Sequence, residues 1–401
     1  MKNSIIAQPQ LAAEGKRKIE WVRQHMPILN QIESEFQKDK PFEGLNVLVC
    51  IHLEAKTAYL AKVFSAGGAT VSVTGSNALS TKDDVAAALV EEGLHVYAKK
   101  GVSEKELINN MNHALDIKPN IIIDDGGDVV EIVHNERPEL LSDLYGACEE
   151  TTSGVERAIQ RANAGTLKCP VMLINNAQCK TIFDNYHGTG QSVWDGIMRT
   201  TNLVIAGKTV VIIGFGWCGK GVADRAKGLG AHVIICEIDP IKAVDATMHG
   251  YQVMPLLDAS EVGDIFLTIT GENKVLRPEH VSKMKKGAMI ANAGHFNTEI
   301  DLNGIKSLAI QTKSNRENID GYQLENGHWV YVLGDGNLVN IACADGHPAE
   351  IMDTSFALQA LSALHVVQNH LKLESTVHSV PVDIDRKVAS VRLAGMGIRI
   401  D

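Results

Sequence analysis

Short apolar runs rich in Val and Ile recur along the chain, separated by longer segments in which apolar residues return at helical spacing. The runs cover residues 46–51, 69–74, 121–123, 171–174, 209–213, 232–236, 264–268 and 288–291. Because they are continuous rather than alternating, they fit strands covered on both faces. Strand and helix in alternation predict βαβ units, and hence an α/β fold with mainly parallel sheets. A helical start is predicted over roughly residues 9–36. No repeat of fixed period and no low-complexity stretch divides the chain, so its domain boundaries have to be read from motifs.

At 401 residues, 45% of them hydrophobic, the chain exceeds what one core usually supports, and two domains are expected. Lys and Arg number 38 against 48 Asp and Glu, and the net charge of -10, with no basic run, argues against nucleic acid as a partner. The seven cysteines are scattered, without a CxxC or a Cys/His cluster at metal spacing. They read as reduced thiols, and no metal site is expected. No stretch approaches the ~20 apolar residues that span a bilayer, and the N-terminal residues lack the apolar centre of a signal peptide. A soluble cytoplasmic protein is the expectation.

Residues 208–239 read KTVVIIGFGWCGKGVADRAKGLGAHVIICEID. A strand runs into Gly214-Phe215-Gly216-Trp217-Cys218-Gly219, an amphipathic helix follows to about Gly230, and a second strand ends at Glu237. Gly214 permits the tight turn, Gly216 lets the backbone approach a pyrophosphate, and Gly219 allows close helix–strand packing. The helix N-terminus adds unpaired N–H donors. A carboxylate at Glu237 suits the ribose hydroxyls of NAD and repels the extra phosphate of NADP. Since everything from Lys208 onward reads as a fresh nucleotide-binding unit, the domain boundary is placed near residues 186–189.

Other segments, in order, resemble the S-adenosyl-L-homocysteine hydrolase family from about Trp21 to about Arg392, nearly the whole chain. They are His52-Leu53-Glu54-Ala55-Lys56-Thr57, Ser76-Asn77-Ala78-Leu79-Ser80-Thr81, Asp124-Asp125-Gly126-Gly127-Asp128 and Glu149-Glu150-Thr151-Thr152-Ser153-Gly154. Lys180 with Phe183-Asp184-Asn185, Gly294-His295-Phe296, Leu338-Val339-Asn340 and Gly346-His347-Pro348 continue the series. The Leu-Glu-Ala-Lys-Thr after His52, the Trp-Cys within the glycine turn and Thr189 look like the family's shorter prokaryotic branch. The resemblance implies two hinged, doubly wound Rossmann-like domains. One is a substrate domain over residues 1–186 completed by about 347–375, the other an NAD domain over 187–346, and 376–401 form a short last segment without the family's long tail. A homo-oligomer, commonly a tetramer, is implied too.

The implied chemistry is oxidation of a nucleoside 3′-hydroxyl by NAD, which makes the C4′ hydrogen acidic so that the 5′ thioether can be expelled and water added. By resemblance Lys180 and Asp184 handle the 3′-OH proton, with Asn175 and Asn185 orienting them and Asn185 also at the cofactor. Asp125 is the C4′ base, Glu150 contacts the ribose hydroxyls, and His52 and His295 serve the 5′ end and its water. Thr151, Thr152, Ser153 and Asn340 match cofactor contacts, while Glu54, Thr57, His347 and Met352 match the substrate pocket, Glu54 at the purine edge. Residue type alone leaves blander readings open. Lys180 and Asp184, four apart, also suit a surface ion pair. The Asp-Gly segment suits a plain turn, and Ser and Thr after the paired acids suit a helix cap.

The sequence departs from the family at Asn175-Asn176-Ala177, at Lys82 where a Gln is usual, and at Asn337. Lys82 stands where that Gln ligates a monovalent cation in some members, so its ammonium could take the cation's place, although a surface lysine is the duller account and the preferred one. The expected activity is reversible hydrolysis of S-adenosyl-L-homocysteine to adenosine and L-homocysteine. Two alternatives remain: a sibling acting on another 5′-substituted nucleoside, an inosine thioether hydrolase or a 4′,5′-dehydratase, and an inactive NAD-binding regulator.

Overall fold

The computed structural model describes residues 4–401. Two compact units emerge, one running to Thr181 and resuming over Ala349–Asp401, the other comprising Ile182–Pro348. The chain therefore leaves the first unit and returns to it.

The first unit contributes β1 (Asn46–Cys50), β2 (Thr70–Thr74), β3 (His95–Tyr97), β4 (Ile121–Asp124), β5 (Gly146–Glu149) and β6 (Val171–Leu173). The second contributes β7 (Thr209–Ile213), β8 (His232–Cys236), β9 (Gln252–Val253), β10 (Ile265–Thr268), β11 (Met289–Asn292), β12 (Ala309–Arg316), β13 (Ile319–Leu324) and β14 (Trp329–Leu333). Strand β15 (Val377–Ser379) rejoins the first sheet beside β6, so the last segment belongs to that unit. The first sheet runs β15-β6-β5-β4-β1-β2-β3 and is parallel at every pairing; the second runs β12-β13-β14-β11-β10-β7-β8-β9.

All eight runs marked by the apolar pattern became strands, shifted at most slightly at their ends. Both faces of the central strands are covered, as continuous apolar runs require. On β7, Val210 and Ile212 enter one core while Val211 and Ile213 enter the other. Several strands escaped the reading for physical reasons. The residues of β5, Gly-Ala-Cys-Glu, lack β-branched side chains, and β12 is mostly exposed and pairs antiparallel with β13. The mainly parallel second sheet thus carries an antiparallel edge, β12-β13-β14. The helical start is also interrupted, into Ala12–Gln24 and Pro27–Asp39, because Pro27 lacks the N–H that would continue the first helix.

The second of these helices has no side-chain cap of its own. Asp353, on the helix Ala349–Asn369, supplies one by accepting from Ile28 N–H (2.9 Å) and Leu29 N–H (2.8 Å). Burial pushes its carboxyl up to about 6, although both amides pull the other way. Asp353→Ala leaves two buried donors unpaired, and a loss of about 1–3 kcal/mol is expected, read as a lower urea midpoint for the first unit. An unchanged midpoint would mean that water replaces the carboxylate.

Candidate active site

In an open parallel sheet, the loops after the carboxyl ends of neighbouring strands share one edge, and ligands bind where the strand order reverses. Along the first sheet those loops carry Asn175 after β6, Glu150 after β5, Asp125 after β4, His52 after β1 and Ser76 after β2. Five residues distant in sequence therefore stand in a row. The order reverses between β1 and β4, so His52 and Asp125 flank the switch point.

Side-chain contacts join the row. His52 Nε2 lies 3.5 Å from Asp125 Oδ2, and Ser76 Oγ donates to the same oxygen at 3.1 Å. Lys180 Nζ is 3.3 Å from Glu150 Oε1, and Gln359 Nε2 donates to Glu150 Oε2 at 2.5 Å. Asn175 Nδ2 donates to Thr152 Oγ1 at 3.1 Å. Lys180 opens a π-helical stretch, Lys180–Gly188, a distortion that recurs at functional sites. Just ahead of it, the N–H groups of Gln178 and Cys179 are accepted by Asp385 at 2.8 and 3.0 Å. Glu54 caps the helix Ala55–Ala66 and pairs with Lys56 Nζ at 2.7 Å, while Thr57 Oγ1 donates to the His52 carbonyl at 2.7 Å. Met352 is buried.

The helix Thr152–Asn163 is not capped by the threonines or Ser153. Glu149 does this instead, its carboxylate accepting Thr151 N–H at 3.0 Å, while Ser153 Oγ is buried without a partner. Sequence reasoning passed over Ser76, Gln359 and Asp385, because their relevance lies in what they touch. It also passed over Asp124 and Glu149, although the paired acids after the apolar run 121–123 were a visible signal for Asp124. Burial raises both of these carboxyls, Asp124 to about 7 and Glu149 well above the usual range, and neighbouring acids add to each rise.

The second unit holds the glycine turn. Gly214 has φ +107°, a Cβ on Gly219 would fall on the Gly214 carbonyl, and a Cβ on Gly216 would meet nothing within 4 Å. One glycine bends, one packs, and one leaves room for a ligand. The helix Trp217–Gly228 begins at Gly216 without a side-chain cap, and its N-terminus points its dipole's positive end at the place a pyrophosphate takes in such turns. Glu237 follows β8 and is fixed by N–H groups of Phe215 (2.8 Å), Ile238 (2.7 Å) and Asp239 (3.0 Å). Asn340 donates to Ser192 Oγ at 3.1 Å, and its side-chain oxygen is buried without a partner. A dinucleotide fits this set. It meets an open glycine, a helix N-terminus, a carboxylate for the ribose and an amide oxygen awaiting a donor.

In the same unit, Asp184 Oδ1 lies 3.1 Å from His347 Nδ1, and His347 Nε2 lies 3.2 Å from Thr189 Oγ1. Asn185 is buried nearby in sequence. His295 follows β11, in a loop shaped by the buried Asn292 side chain, which accepts Gly294 N–H (2.8 Å) and donates to the carbonyls of Gly294 (3.0 Å) and Phe296 (2.9 Å). All seven cysteines are free thiols, and among the described residues no helix is long and apolar enough to cross a membrane.

Comparison with known proteins agrees with this division. The family model described as "S-adenosyl-L-homocysteine hydrolase" matches residues 3–142, and the one described as "S-adenosyl-L-homocysteine hydrolase, NAD binding domain" matches 185–346. The chain is 52% identical to an S-inosyl-L-homocysteine hydrolase of Methanocaldococcus jannaschii, covering 97% of this chain and 93% of that one. It is also 52% identical to an adenosylhomocysteinase of Pyrococcus abyssi, covering 98% and 93%. To that of Thermotoga maritima it is 49% identical, covering 96% of each.

The raised carboxyl of Asp124 has a measurable consequence. A group that holds its proton more tightly when folded contributes stability below its ordinary value of 3.8, and that contribution is lost as pH climbs through about 7. Relative to Asp124→Asn, the wild type is expected to lose on the order of a few kcal/mol between those limits, measured by urea unfolding across pH. Parallel curves would show that Asp124 does not titrate in that window.

Proposed function

Since this chain belongs to the S-adenosyl-L-homocysteine hydrolase family and carries its NAD-binding domain, we propose that it reversibly hydrolyses S-adenosyl-L-homocysteine to adenosine and L-homocysteine. The row of polar side chains along the carboxyl edge of the first sheet carries this reading, because a base, a ribose partner and an acid stand side by side there. Bound NAD supplies a reversible oxidation at the ribose 3′ carbon. With Gly214, Gly216, Gly219 and Glu237, the residues Thr151, Thr152, Ser153, Asn185 and Asn340 are proposed to hold it.

Around the sugar, Lys180 exchanges the 3′-hydroxyl proton, with Asp184 beside it in sequence and Asn175 and Asn185 orienting them. Glu150, held by Gln359, accepts from the ribose hydroxyls. Asp125 takes the C4′ proton, and its contact with Ser76 keeps one oxygen fixed. The electron pair left at C4′ expels the 5′ sulfur, which takes a proton from His52. Water then adds at C5′, where His52 and His295 serve it, and the C4′ proton returns from Asp125. His347, Thr57 and Met352 line the nucleoside. Free cysteines fit a cytoplasmic setting, and a homotetramer is the proposed assembly.

One observation favours a second substrate. The purine edge assigned to Glu54 is shared by Lys56, buried and paired with it at 2.7 Å. A carboxylate accepts from the 6-amino group of adenine, whereas an ammonium donates to the 6-carbonyl of hypoxanthine. The relatives named for each base are equally similar. Incubation with both thioethers, with products identified by mass, decides the matter. A higher kcat/KM for the adenosyl compound is expected, and a tenfold preference for the inosyl compound would reverse the assignment.

Lys180→Ala is expected to abolish reduction of bound NAD by substrate, and near-normal reduction would remove Lys180 from the mechanism. Asp125→Asn is expected to spare some of that reduction while C4′ hydrogen exchange in deuterated water falls ~10²–10⁴-fold. Equal loss of both steps would show that Asp125 places the substrate or acts at C3′.

A further inference from the structure

Two carboxylates without an assigned role lie beneath the residues that have one. Asp124 and Glu149 end β4 and β5 as register partners, and they are 0% and 1% exposed. Asp124 uses one oxygen for Asp125 N–H (3.0 Å) and the other for Val130 N–H (3.0 Å). Glu149 Oε1 accepts from both Gly126 N–H (2.9 Å) and Thr151 N–H (3.0 Å). Each peptide N–H flanking the Asp125 side chain is therefore held by a buried carboxylate. The same Glu149 oxygen ties that turn to the loop bearing Glu150, whose own N–H reaches the Asp124 carbonyl at 2.9 Å. Gly154 leaves the space, since a Cβ there would fall on the Glu149 carboxylate. From the other side, Arg157 holds the Gly126 carbonyl (3.0 Å) and Asp128 (2.5 Å).

An apolar residue would fill either strand end at far lower desolvation cost, as Ile121, Ile122 and Ile123 do along β4. What these side chains offer, and an apolar residue cannot, is an oxygen that accepts the loop amides. We infer that Asp124 and Glu149 are positioning residues that lock the Asp125 turn and the Glu150 loop into one rigid piece. This rests on the roles proposed above for Asp125 and Glu150.

Three variants separate the inference from a general structural effect. Glu149→Ala strips both amides of their acceptor, Glu149→Gln keeps a carbonyl oxygen able to serve both, and Asp124→Asn must lose one of its two bonds. C4′ exchange of S-adenosyl-L-homocysteine in deuterated water is measured beside reduction of bound NAD, with melting temperature as the fold control. In Glu149→Ala and Asp124→Asn, exchange is expected to fall ~10-fold or more while cofactor reduction falls less, because a small displacement of the base is costly. Glu149→Gln is expected to recover most of the exchange. Equal loss of both steps, or full exchange in a folded Glu149→Ala, overturns the inference. Should Glu149→Ala fail to fold, the same decision rests on Asp124→Asn exchanging more slowly than Glu149→Gln with reduction retained. A wild type that reduces its cofactor yet exchanges no C4′ hydrogen would instead refute the role of Asp125 itself.

Discussion

Carboxylates buried beneath the loops at the carboxyl ends of parallel strands shape the candidate site residues of each unit. A strand that ends inside a protein leaves backbone N–H groups that no neighbouring strand accepts, and burying them unpaired is costly. In the first unit Asp124 and Glu149 accept three such groups, and Asp124 also accepts Val130 N–H in the first turn of the helix Asp128–Asn135. In the second, the half-buried Glu237 accepts three, and the fully buried Glu299 accepts Thr270 and Gly271 N–H at 2.9 and 2.8 Å. Charge-assisted bonds of this kind are stronger than neutral ones and offset part of the desolvation of the acid. What remains unbalanced appears as raised carboxyls at Asp124, Glu149 and Glu299.

This device dictates glycines where no turn requires them. Gly154 lies against Glu149 and Gly294 against Glu299, and in each case a Cβ would fall on the carboxylate. Gly294 immediately precedes His295, and Gly154 follows the Thr151–Ser153 segment. Glycine here serves the close approach of an acid to backbone, a different requirement from the positive φ of Gly214.

Strand order does the rest. In both sheets the first strand of the unit, β1 or β7, is flanked by its immediate successor on one side and by a later strand on the other. The crevice at that reversal receives His52 and Asp125 in one unit and the Gly214 turn in the other, where a Cβ would sit 2.7 Å from the Ile269 carbonyl. Parallel strands place all their loops at one edge, so residues far apart in sequence converge without a dedicated scaffold.

The sequence by itself determined the eight strands built on continuous branched apolar runs, the glycine turn with Glu237, and the identity of most side chains along the first sheet's edge. These are local matters: a run of branched apolar residues states its own burial, and a glycine spacing states its own turn. It did not reveal β5, whose small residues and terminal acids conceal a strand, nor the antiparallel edge β12-β13-β14. Nor could it say that Lys180 meets Glu150, that Gln359 steadies Glu150, or that Asp385 caps the turn ahead of Lys180. Those partners are chosen by which strands and helices become neighbours. Only tertiary packing decides that, because crossover connections bring together residues that are far apart along the chain.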